Sequence, residues 1–182
     1  GADIIKGSAD AADTDNTLSL GGGIGYADLS FSQSYDNLVL TTGIGERVTF
    51  QNWYAATPNR SVATLQMIAE PMAGHDVNSA DPMFSMKVQE FDFSALVNAF
   101  DAARAADSAL KSWNLMDGLP GARLASSDEA ALGGDLAYVY GMNGGLVGIS
   151  LGAAQEVVGG GQFGIQLQTL RPWESLTGDM AL

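Results

Sequence analysis

The chain is expected to be an α+β protein, with a β-rich part ahead of an α-helical part. Three observations carry that expectation. Between Asn16 and Ile68, apolar and polar residues alternate with a period of two, in runs separated by turn signals. Between residues 69 and 87, Pro71, Gly74, Asn78-Ser79 and Asp81-Pro82 break any regular pattern. From Asp92 onward the apolar residues recur at helical spacing. The expected division is a β-rich module over residues 1–70, a linker or edge strand over 71–90, and a helical module with a flexible tail over 91–182.

The strands are read from their alternation. Leu29 and Phe31 alternate with Ser30 and Ser32, Leu38 and Leu40 with Val39 and Thr41, and Val48 and Phe50 with Thr49 and Gln51. Tyr35-Asp36-Asn37 provides a turn between the first two runs. Gly43-Ile44-Gly45 provides the next, because glycine takes positive φ at no steric cost. Leu65 and Met67 mark a further strand, with Val62 out of phase across a bulge. Phe84, Met86 and Val88 alternate as well and could extend the strands into the 71–90 stretch. Trp53 follows the Val48–Phe50 strand and is expected in the core.

The helices are read from the 3.6-residue period. Phe93, Leu96, Val97, Phe100 and Ala103 share one face, with Asp92 placed to cap the start. Ser108–Met116 is expected to be a second helix, stopped by Gly118 and Pro120. Ser126 followed by Glu129 has the capping-box spacing for a third, running toward Tyr140 through Gly133-Gly134. A Gly-rich apolar segment over 141–164 fits a closely packed helix, with Leu146, Ile149, Ala153 and Val157 on one stripe. It lacks both the Walker ending and the dinucleotide glycine spacing.

Composition limits the function classes. The chain has 182 residues, 21 of them acidic and 8 basic, for a net charge of −13. That balance argues against nucleic acid or an anionic membrane surface as a partner and favours cations. With no cysteine, disulfides, thiol catalysis and cysteine-based zinc sites are excluded. No apolar run approaches the roughly 20 residues of a membrane-spanning helix. The first residues, GADIIKGSAD, lack the charged-then-apolar pattern of a signal peptide, so an exported chain is expected to carry its address elsewhere.

The candidate metal ligands are Asp3, Asp10, Asp13 and Asp15, in a segment rich in small residues. Gly1-Ala2-Asp3-Ile4-Ile5 fits half of the calcium-binding nonapeptide G-G-x-G-x-D-x-U-x. Carboxylates and turn carbonyls are the hard oxygen ligands that calcium prefers. Gly21-Gly22-Gly23-Ile24-Gly25 repeats the glycines without the aspartate. A site built from one half-repeat is expected to be incomplete and to bind calcium weakly.

The central stretch resembles the domain found beside calcium-binding repeats in haemolysin-type (RTX) proteins. The resemblance rests on Asp28-Leu29-Ser30-Phe31, Asp36-Asn37-Leu38-Val39-Leu40, Gly43 to Gly45, Val48-Thr49-Phe50, Asn52-Trp53-Tyr54 and a closing strand from Val62 to Ile68, in that order. It implies a β-roll-like end to the β-rich module and a non-enzymatic role, as the C-terminal folding and secretion region of an exported bacterial protein. The implied partners are calcium ions and a type I secretion machine, and the implied location is outside the cell or on its surface. The last residues, Asp179-Met180-Ala181-Leu182, look like the acidic-then-apolar endings of such export substrates. One alternative is an adhesive or carbohydrate-binding module using Tyr35, Trp53 and Tyr54 as stacking platforms. Another is a small hydrolase using His75 beside Asp76, although no G-x-S-x-G motif accompanies them.

Overall fold

The computed structural model describes residues 1–7, 14–21 and 23–127. Among them the chain is α+β. In order come β1 (Ala2–Ile5), β2 (Asn16–Leu20), a 3-10 turn (Tyr26–Asp28), β3 (Ser30–Ser34), β4 (Asn37–Gly43), β5 (Glu46–Phe50) and β6 (Val62–Ile68). Then follow α1 (Pro82–Ser85), β7 (Val88–Asp92), α2 (Phe93–Ala106), β8 (Trp113–Asn114), a second 3-10 turn (Leu115–Asp117), α3 (Leu119–Ala122) and β9 (Arg123–Ser127). The strands form two sheets, ordered β1-β5-β4-β3-β8 and β2-β6-β7-β9.

The period-two runs become antiparallel hairpins. β3 and β4 pair from Ser34↔Asn37 to Ser30↔Thr41, leaving Tyr35 and Asp36 as a two-residue loop. β4 and β5 are joined through Gly43, Ile44 and Gly45, and both glycines take positive φ (147° and 78°). Along β4 the odd and even positions separate cleanly, with Leu38, Leu40 and Thr42 buried. The irregularity expected near Val62 is present: Asn16 faces Val62 but Thr17 faces Thr64, so Ala63 is the extra residue.

Helix α2 begins where its cap predicts. The Asp92 side chain accepts a hydrogen bond from the Ala95 amide at 2.9 Å, satisfying one of the first-turn donors. The buried face is Phe93, Leu96, Val97 and Phe100. The first residue of α2 directly follows β7, so Phe93 is carried by the second sheet. It nevertheless meets rings of the first sheet and the turn beyond it: Phe31 at 5.5 Å, Phe50 at 4.8 Å and Trp53 at 5.4 Å between centroids. The contacts with Phe31 and Trp53 are edge-on, the arrangement that aromatic quadrupoles favour. Phe100 adds a contact to Phe31 at 5.9 Å. Both sheets and α2 therefore share one hydrophobic core.

Two helix readings are corrected. Ser108–Met116 is not a helix. It is a loop followed by β8, which pairs with β3, and by a 3-10 turn. The cause is local competition for backbone donors: the Asp107 carboxylate accepts from the Ala109 amide, and the Asn114 side chain accepts from the Met116 amide. Trp113 then stacks on Phe100 at 6.4 Å, and a Cβ on Gly118 would lie 2.6 Å from its ring. Ser126 does not cap a helix either; it lies in β9, opposite Gln89 of β7. His75 is half-buried, and its Nδ1 is enclosed without a hydrogen-bond partner among the described residues. The 71–90 stretch contains α1 and the start of β7, which lies inside its sheet between β6 and β9. The helix expected beyond Glu129, the Gly-rich 141–164 segment and the Asp179–Leu182 ending lie outside the described residues.

Removing the Phe93 ring leaves a hole where both sheets meet. Phe93→Ala is expected to lower stability by about 3–5 kcal/mol in urea denaturation. Ile44→Ala, at the fully exposed hairpin tip, should stay within about 0.5 kcal/mol of the parent.

Candidate functional site

The strand runs named from the sequence include neither β1 nor β2, yet these two strands form one edge of each sheet. β1 pairs with β5 in parallel, from Ala2↔Arg47 to Ile5↔Phe50. β2 pairs with β6 in parallel, from Asn16↔Val62 to Leu20↔Met67. β1 and β5 belong to one sheet, β2 and β6 to the other. The chain thus passes from the first sheet to the second both from β1 to β2 and from β5 to β6. The result is two strands, Ala2–Ile5 and Asn16–Leu20, laid in parallel on two later strands, one in each sheet.

The stacking continues through the crossing segments. The Gln51 amide donates to the Ile5 carbonyl at 3.0 Å, just past the β1·β5 ladder. The Ser61 carbonyl accepts from both the Asn16 amide (3.1 Å) and the Asn16 side chain (2.8 Å), just before the β2·β6 ladder. Between these points Gly7 lies directly against Asn59. Any side chain at residue 7 would overlap that asparagine, so this glycine serves close approach. Asn59 is itself fixed: its amide donates to the Asn52 carbonyl and its side chain to the Gln51 carbonyl. Asn52 holds a positive φ of 62°, which asparagine tolerates better than most residues.

β1 and β2 are the outermost strands at this end of each sheet, and among the described residues neither has a strand on its outer side. On one face of the second sheet a polar row runs in register inward from β2. The Ser19 hydroxyl donates to Gln66 Oε1 at 2.9 Å, and Gln66 Nε2 donates to Glu90 Oε1 at 3.5 Å. Gln66 is fully buried. Burial raises the Glu90 pKa above the usual carboxylate value, and the hydrogen bond from Gln66 partly opposes that shift.

The sequence-predicted site residues fall as follows. Asp3 is exposed on β1, opposite Val48, and Asp15 is exposed immediately before β2. They therefore flank the first crossing segment. Asp10 and Asp13 lie outside the described residues. Among the described residues no three histidine, aspartate or glutamate side chains converge on one point. Beside His75, the Asp76 carboxylate accepts from the Asn78 amide at 2.9 Å and closes its own turn. Trp53 is in the core, 2% exposed. Tyr54 is half-buried and donates its hydroxyl to Asp101 at 2.9 Å, and burial raises its pKa. Of the three proposed aromatic platforms, Tyr35 alone stands free, 92% exposed. The residues missed by sequence reasoning are Gly7, Asn16 and Asn59. Their only advance signal was their chemistry, a glycine for close approach and two amides able to fasten backbone.

No protein-family model, curated protein or solved structure matches the chain.

Two measurements follow from this geometry. Gly7→Ala should push Asn59 off the Gln51 carbonyl and lower the unfolding free energy by about 1–3 kcal/mol, the usual range for overpacking. Pairing it with Asn59→Gly should recover part of that loss in a double-mutant cycle. For Glu90, a folded-state pKa raised above the ordinary 4.5 means that the native state binds the proton more readily than the unfolded one. Its contribution is therefore favourable at low pH and declines as pH rises from the ordinary value through the raised one. Glu90→Gln keeps an acceptor for Gln66 and should raise Tm at about pH 7, with the gain vanishing below about pH 4.

Proposed function

We propose that this chain is a non-enzymatic folding and secretion region of an exported bacterial protein, linked to calcium and carried by a type I secretion machine. The observation that supports it is the parallel pairing of β1 with β5 in one sheet and of β2 with β6 in the other, two successive strands stacked on two later ones. A stack of this kind can be extended. The outer edges of β1 and β2 present parallel backbone donors and acceptors, which another coil of the same shape can pair with in the same sense. In this reading β5, β6 and the hairpins close the stack, and coils supplied from the N-terminal side build on it.

Calcium enters through the crossing segments. Asp3 occupies the aspartate position of the half-repeat, on β1. In repeats of that pattern, one coil's aspartate and its neighbour's turn carbonyls share the ion. Asp15, at the far side of the same crossing, adds a second carboxylate. Metal held only by the folded state adds its binding free energy to stability. The net charge of −13 makes the compact state self-repelling until cations neutralise part of it. A chain so balanced stays open where calcium is scarce and closes where it is abundant.

The test is thermal unfolding of the full chain during a calcium titration, with magnesium as the control. Tm should rise over roughly the 10⁻⁴–10⁻³ M range of extracellular calcium sites, and Asp3→Asn should remove most of the rise. A Tm that is flat to about 10 mM calcium, well beyond that range, would overturn the calcium linkage.

A further inference from the structure

The end of the first sheet away from β1 carries a second feature, independent of the stacked strands. We propose that the groove beside Tyr35 binds a uronate-type saccharide, a sugar bearing a ring carboxylate.

The first argument is Tyr35 itself. It occupies the first position of the two-residue β3–β4 loop with a φ of 53°. Positive φ at this loop position favours glycine, and a bulky side chain there is strained. A ring that is 92% exposed gains almost no packing in return. Strain without a packing reward is the signature of a residue kept for contact with something else. The loop is also braced: Gln33 Nε2 donates to the Tyr35 carbonyl at 2.7 Å.

The second argument is the wall of the groove. Its volume is about 450 Å³, and it is lined by Gln33, Tyr35, Arg104, Ser108, Leu110 and Lys111. That size lies within the roughly 300–1,000 Å³ of small-ligand sites. The lining holds two cations and no carboxylate, in a chain where acids outnumber bases 21 to 8. Arg104 is held in place by the rings of Tyr54 at 5.8 Å and Phe100 at 5.3 Å. One of its nitrogens faces Asp101 at 3.5 Å, and the rest of its planar donor fork can take a carboxylate. The acids at this end of α2 are already engaged. Asp101 accepts from the Tyr54 hydroxyl and Asp107 from the Ala109 amide.

A ligand suited to this wall has a flat apolar face for Tyr35, hydroxyls for Ser108 and Gln33, and one negative charge for Arg104 and Lys111. A uronate ring combines all three. An acidic peptide meets the charges but offers no flat apolar face to the tyrosine.

The experiment is calorimetric titration of the full chain with a galacturonate trisaccharide. The uncharged galactose trisaccharide and a glutamate tripeptide serve as comparisons. The expected result is binding of the galacturonate trimer at least about tenfold tighter than either, a gap of about 1.4 kcal/mol. That binding should weaken with added salt and fall at least about tenfold in Lys111→Gln. Tyr35→Gly should abolish it while Tm stays the same or rises, because the strained φ is relieved. That variant separates loss of contact from loss of fold. No binding, equal binding of the neutral trimer or the peptide, or unchanged affinity in Tyr35→Gly would each overturn the proposal. The calcium titration reports on the other end of the sheets, so the two ideas can fail separately.

Discussion

The structure depends on the passage of one ring between two sheets. Phe93 is placed by β7 of the second sheet and by the cap that Asp92 forms for α2. Its side chain ends among Phe31, Phe50 and Trp53. Backbone hydrogen bonds hold each sheet together internally, but they do not join β5 to β7. That task falls to aromatic packing, where large buried areas and edge-on geometry act together. The position of α2 is set by the same contact, and with it the places of Arg104 and Asp101 at the helix's far turns. The groove on the surface and the cluster in the core therefore share one support.

What could be read from the sequence was what is decided locally. The β3–β4–β5 meander was legible because a hairpin's register is set by its turn and by alternation over a few residues. α2 was legible for a similar reason, since its face and cap lie within fifteen residues of one another. Ser108–Met116 misled because its apolar spacing is helical while Asp107 and Asn114 offer the backbone different partners. β1 and β2 have neighbours more than forty residues away. The half-repeat over residues 1–5 hinted at a stacked turn, but nothing within Ala2–Ile5 or Asn16–Leu20 names the partner strand. Of the described candidate ligands, Asp3 lies on β1 and Asp15 immediately before β2, a placement their spacing alone could not supply. Trp53 was foreseen in the core, while the positive φ of Tyr35 is a dihedral angle that no sequence displays.

The second sheet shows how a polar row is kept tolerable inside a fold. Gln66 is fully buried in the middle of β6, where an unpaired amide would be costly. Its oxygen accepts from Ser19 on one neighbouring strand and its nitrogen donates to Glu90 on the other. The row links β2 to the sheet by side chains as well as by backbone, so a one-residue slip of β2 would break it. Register, weakly specified in a short strand with few apolar residues, gains a chemical marker.

The parallel pairing also sets a direction in time. The partners of β1 lie at Arg47–Phe50 and those of β2 between Val62 and Met67. Neither strand has a nearby partner to collapse on, while β4 and β5 meet across a tight turn. Local hairpins close within about 1–10 μs, and distant contacts must first overcome the entropy of a long loop. A chain made or threaded with its first residues leading must therefore keep them unstructured until residue 68 has passed. Order then spreads backward, from the template to the strands that copy it. The first strands therefore follow, rather than lead, the hairpins that come after them in the chain.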